Sequence, residues 1–263
     1  MVISMRNNFF YGGLILSLLL VICNPLAAEA IPGQGDELFL AGSFNEAIAA
    51  YLEELEIAED PAPIYNNLGA AYYQVENIDQ AIYYFQLAAE IAPDNGMPWL
   101  NLAMLNELSG NSDAAEESYL KAAASEDPIV AVNGYLGVAM LLFDKGDGSA
   151  AISALESALA RTETETEAEY QEVRTQIYDN IGYIYATLGE NEAAFDAFAA
   201  ATQTGTESPI PWMYLGAFLQ DVGMLDQALL IYQEALARDP DNITQAQEAY
   251  DTLTAEIEAT ASS

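Results

Sequence analysis

Small and bulky residues alternate along this chain with a spacing near 34 residues. Ala47, Ala81, Ala115, Ala151, Ala194 and Ala228 follow one another at intervals of 34, 34, 36, 43 and 34. Four residues after each stands a bulky side chain, in order Tyr51, Phe85, Tyr119, Leu155, Phe198 and Tyr232. Seven residues after, five copies place a second alanine, at Ala88, Ala122, Ala158, Ala201 and Ala235. Offsets of four and seven put side chains on one face of an α-helix, so each copy predicts a helix with a small-bulky-small packing stripe. Five residues before the first alanine lies Gly42, Gly110, Gly146, Gly189 or Gly223; the second copy carries Glu76-Asn77 instead. Glycine there suits a tight turn that needs positive φ. Further upstream, Gly69, Ala103, Ala139, Gly182 and Gly216 give a first helix a small position at which to approach the second.

Start and stop signals agree with this frame. Ser43-x-x-Glu46 and Asn77-x-x-Gln80 read as capping boxes opening second helices. Pro61, Pro93, Pro128 and Pro240 separate one unit from the next. The first copy has no Leu-Gly pair, so its first helix is expected from about Gly35 to Ala41 and serves as a cap. The longest interval contains Thr162 to Glu169, TETETEAE, which predicts either a lengthened first helix in the fifth copy or a mobile acidic loop. Ile243 to Ile257 has helical spacing and is expected to close the array, with a frayed tail from Ala259.

Two segments show the pattern in full: IYNNLGAAYYQVENIDQAIYYFQLAAEIAP, from Ile64 to Pro93, and PWMYLGAFLQDVGMLDQALLIYQEALARDP, from Pro211 to Pro240. They resemble the tetratricopeptide repeat, a helix-turn-helix unit of about 34 residues. The resemblance implies an all-α, right-handed superhelical solenoid with six repeats over residues 31–241, the first degenerate, and a capping helix with its tail over 242–263. No single unit buries its apolar face alone, so neighbours must stack.

The resemblance also implies a concave groove lined by first helices that receives a peptide segment or helix of a partner. Asn67, Asn101 and Asn180 share one place in three units and suggest an asparagine ladder, since an amide offers both donors and an acceptor to a peptide backbone. Asn66, Tyr73, Phe143, Asp179, Tyr183, Met213 and Tyr214 complete the expected groove, with Met104 and Met140 as adaptable apolar neighbours that also suit ordinary packing. Family members that clamp a C-terminal carboxylate use lysines and arginines; the positions matching the first clamp lysine here hold Asn66, Leu100, Leu136, Asp179 and Met213. An acidic peptide is therefore a poor ligand, and a neutral, apolar or basic segment is expected.

Residues 1–30 differ from the rest. Arg6 is the sole charge before Glu29, Leu14 to Cys23 is nearly all apolar, and Ala28 and Ala30 end the segment in an A-x-A pattern. This reads as a secretory signal cleaved after Ala30, leaving no stable membrane span and directing the chain to a periplasm or cell envelope. A lipid anchor at Cys23 is the lesser alternative, because Ile22 stands where a small residue is required.

Charge narrows the function further. The 263 residues carry 41 acidic and 6 basic side chains and no histidine, for a formal net charge of -35. Phosphate neutralisation demands a basic footprint, so nucleic acid is excluded as a partner. With 52% hydrophobic residues the chain can still build a core. The acidity reads either as steering of a basic partner or as adaptation to salty surroundings. Asp144-Lys145-Gly146-Asp147-Gly148 loosely imitates a calcium loop, but glycines occupy ligand positions. With no nucleophile motif, phosphate loop or metal-ligand cluster, the expectation is a scaffold without cofactor or metal rather than an enzyme. A self-associating scaffold and a carboxylate-based enzyme are the alternatives.

Overall fold

A computed structural model describes residues 33–163, 168–241 and 245–261. Among these are thirteen α-helices and no strand. The proposed signal segment, Cys23 included, lies outside the described residues. These fall into two compact units, one ending at Asp144 and the other beginning at Lys145.

The N-terminal unit contains α1 (Gln34–Leu40), α2 (Phe44–Leu55), α3 (Ala62–Gln74), α4 (Ile78–Ile91), α5 (Gly96–Leu108), α6 (Ser112–Ala123) and α7 (Pro128–Asp144). Helices adjacent in sequence pack on one another throughout, and α5 also meets α7, so first helices touch first helices. The C-terminal unit contains α8 (Gly148–Thr162), α9 (Ala168–Leu188), α10 (Asn191–Ala201), α11 (Ile210–Asp221), α12 (Leu225–Arg238) and α13 (Ala246–Ala261). Here α9 meets α11 as well as α8 and α10. The insertion has lengthened α9 to 21 residues. Helix α13 continues to Ala261, past the point where fraying was expected.

The packing stripe is seen directly. All six alanines, Ala47 to Ala228, are fully buried, and so are the bulky side chains four residues on. A Cβ added at Gly69 would lie 2.6 Å from the Phe85 ring, and one at Gly216 would lie 2.7 Å from the Tyr232 ring. Gly35 has the same relation to Tyr51, so the first unit does possess the small position despite lacking its leucine. Three bulky residues are tyrosines whose hydroxyls need partners once buried. Each finds one on the preceding first helix: Tyr51 donates to Asp36 Oδ1 at 2.8 Å, Tyr119 to Glu107 Oε2 at 2.7 Å and Tyr232 to Gln220 Oε1 at 3.2 Å.

The turns repeat one hydrogen-bond pattern. Gly42, Gly110, Gly189 and Gly223 have positive φ, and the residue after each donates its N–H to a carbonyl five residues back. This is the closure that a left-handed residue after a helix permits. Glu76 adopts the same conformation, with φ 60° and Asn77 N–H bonded to the Tyr72 carbonyl. Of the two expected capping boxes, Asn77 accepts the Gln80 N–H, whereas Ser43 makes no side-chain capping bond.

Candidate partner-binding faces

In the N-terminal unit, α3 and α5 lie side by side and carry most of the residues expected to meet a partner. Tyr73 of α3 and Asn101, Met104, Leu105 and Leu108 of α5 surround a shallow, largely apolar depression floored by Phe85. Leu108 projects from its edge at 71% exposure. Tyr73 and Met104 are half-buried. Asn101 is only 2% exposed and donates its amide to Asn66 Oδ1 at 3.0 Å. Asn67 likewise donates to Asp36 Oδ1 at 3.0 Å, sharing that oxygen with Tyr51. Both ladder asparagines of this unit thus hold neighbouring first helices together. Met140 and Phe143 sit half-buried on α7 and do not line the depression.

In the C-terminal unit, Tyr183 of α9 shares an apolar cluster with Met213 and Tyr214 of α11, and Asp179 and Asn180 stand on α9. Asp179, Asn180 and Met213 are buried, while Tyr183 and Tyr214 are half-buried. Burial, followed by the nearby charge of Glu172, raises the Asp179 carboxyl well above the usual carboxylate range. Tyr214 is pushed up to about 12, first by burial and then by the charge of Asp179. Sequence reasoning passed over Glu172, although it stands seven residues before Asp179 and so on the same face of α9. Its Oε2 accepts the Thr206 hydroxyl at 2.7 Å. A second hydroxyl pair, Thr175 with Thr204, joins α9 to the same loop.

The scattered cations have other work. Lys121 sits 3.9 Å above the Trp99 ring and pairs with Glu117 at 2.9 Å. Arg238 sits 4.0 Å above Trp212 and pairs with Glu234 at 2.8 Å. Neither forms a carboxylate clamp.

Comparison with known proteins now bears on the family. Profiles of the tetratricopeptide repeat match residues 62–95, 98–126 and 175–203, and a further TPR repeat profile matches residues 35–76. The matched stretches are tetratricopeptide repeats, so the chain carries several of them. Human tetratricopeptide repeat protein 12 is 26% identical over 98 residues, which are 37% of this chain and 14% of that one. The chain therefore spans a small part of that relative's length. Among solved structures, the C-terminal part of a TPR repeat-containing protein from Cytophaga hutchinsonii superposes with TM-score 0.61 at 17% identity, covering 84% of this chain and 87% of that one. YrrB, a TPR protein with an unusual peptide-binding site, gives 0.53 at 18%, covering 78% and 99%. The Cut9-Hcn1 hetero-tetramer of APC/C gives 0.54 at 20%, covering 83% and 41%. At these identities the likeness is one of tetratricopeptide fold.

Proposed function

We propose that the chain is a non-catalytic protein-interaction scaffold, exported to a periplasm or cell envelope, that holds a peptide segment or helix of a partner against its first helices during assembly of an envelope complex. The observation that carries this is the depression between α3 and α5. Its apolar edge, Tyr73, Met104 and Leu108, stands open, while the polar pair Asn66 and Asn101 is consumed in holding the helices at fixed spacing. An apolar surface on a rigid frame costs little ordering on association. A net charge of -35 favours a neutral or basic segment over an acidic one. YrrB offers a precedent for a peptide site on this fold, and Cut9-Hcn1 for a repeat array within a larger assembly. Export is supported by the charge and hydropathy pattern of residues 1–30.

Photo-crosslinkers at Tyr73, Leu108 and Tyr83, introduced into the full chain in the cells that make it, test the proposal. Adducts of one defined mass from Tyr73 and Leu108, with none from Tyr83 on the second helix α4, are expected. Adducts from Tyr83 alone, or none, would overturn the groove; adducts at twice the chain's mass would replace the foreign partner with a second copy.

A further inference from the structure

Asn66 and Asn101 stand 35 residues apart, and the amide of the second satisfies the carbonyl oxygen of the first at 3.0 Å. The same register in the C-terminal unit pairs Asp179 of α9 with Tyr214 of α11, again 35 residues apart. There the internal donor is missing. Asp179 is 7% exposed, yet its Oδ1 accepts no hydrogen bond among the described residues. A buried acceptor without a donor is costly and rare in folded proteins. Its surroundings increase the cost, since Glu172 adds a second negative charge nearby. Thr206 and Thr175 tie Glu172 and α9 to the loop between α10 and α11, fixing where both carboxylates lie. Tyr214, half-buried beside Asp179, supplies an aromatic ring that suits a cation and its aliphatic stem.

We infer that Asp179 is the receptor for one cationic side chain, a lysine or arginine, presented by the partner peptide on the face of α9 and α11. This rests on the groove function proposed above and specifies its ligand. The incoming ammonium or guanidinium displaces the side chains that close over Asp179 Oδ1 and donates to it, as Asn101 donates to Asn66, while Glu172 deepens the local field. No covalent step is involved.

The test uses three acetylated, amidated heptapeptides, Ala-Leu-Ala-X-Ala-Leu-Ala, with X as lysine, arginine or norleucine. Each is titrated into the full chain up to millimolar concentration while amide NMR shifts on α9 and α11 are followed. The lysine or arginine peptide should bind about tenfold tighter than the norleucine peptide, or more, as a charge-assisted hydrogen bond provides. Asp179→Asn should abolish that preference. Asp226→Asn, which removes the same charge from the exposed start of α12, should preserve it. Asp179→Asn is isosteric, and its thermal melt reports that it folds. Equal binding of norleucine, a preference surviving in Asp179→Asn, an equal fall in Asp226→Asn, or no shift on α9 and α11 with any peptide would each overturn the inference. If crosslinks from Tyr73 and Leu108 persist in any of those cases, only the cation receptor falls; if they vanish too, the groove falls with it.

Discussion

Phe85 occupies the space a methyl group would need at Gly69: a Cβ built there lies 2.6 Å from Cδ1 of the ring, and Phe85 is itself buried. Helix α3 can therefore approach α4 only through a residue without a side chain. Alanine at position 69 gains about 1 kcal/mol of helix propensity. It also drives a carbon into a buried ring, and overpacking of this kind costs about 1–3 kcal/mol. Gly69→Ala should lower the urea midpoint by a net loss of up to about 2 kcal/mol. Adding Phe85→Leu should recover part of it, and a Gly69→Ala variant more stable than the parent would refute the close approach.

Glu76 offers the opposite test. Its φ of 60° matches that of the turn glycines, but it carries a Cβ. A left-handed conformation costs an L-residue about 1–2 kcal/mol, part of which glycine returns through its freer unfolded state. Glu76→Gly should stabilise the chain by about 0.5–1 kcal/mol. Gly110→Ala should destabilise it by about 1 kcal/mol through strain alone, because nothing lies within 4 Å of the added Cβ. Thermal melts of the two single variants, moving in opposite directions, check the pair.

The repeat was legible because its packing rule writes itself at fixed offsets: a small residue on one helix and a ring or large aliphatic side chain sixteen residues later. Gly35 obeys that rule with Tyr51 and was overlooked only because Gln34 stands where the other units carry leucine, valine or isoleucine. The asparagines show where the sequence stops speaking. Periodicity assigns Asn67 and Asn101 to a face, but not whether the neighbouring helix comes near enough to take their amides. That depends on interhelix spacing, set by side chains far away in sequence. Glu172 was missed for a similar reason: its role depends on Thr206, 34 residues away, and on the burial of Asp179.

Asn101 can be separated from binding by a thermodynamic cycle. With 2% exposure and one amide hydrogen on Asn66, it acts within the unit. Asn101→Ala should cost about 1–3 kcal/mol, combining a lost hydrogen bond with a small cavity. Asn66→Ala, at a half-buried site, should cost less. The double variant should fall short of the sum by about 0.5–1.5 kcal/mol, the coupling of a neutral hydrogen bond. Additive losses in denaturant titrations would show that the two amides do not communicate.

Asp179 gives the remaining prediction its sign. Burial first, and Glu172 second, raise its carboxyl in the folded chain. The folded state therefore holds this proton more tightly than the unfolded state does. The associated stability is fully present below the unfolded value of about 3.9 and is lost as pH rises through the folded value, beyond which the cost stays constant. Asparagine has no proton to lose. Asp179→Asn should thus be more stable than the parent at pH 7, by about 1–3 kcal/mol, because its buried oxygen carries no charge. That advantage should shrink steadily as pH falls toward 4. Glu172 and Tyr214 remain in both chains, but the repulsion between Glu172 and the Asp179 carboxylate exists only in the parent and so adds to the advantage of the variant. Paired thermal melts from pH 4 to pH 8 measure the difference directly; an advantage that is absent, or that grows on acidification, would contradict it. A carboxylate retained where asparagine is more stable is what a binding site produces, because the strain is relieved by the ligand and not by the fold.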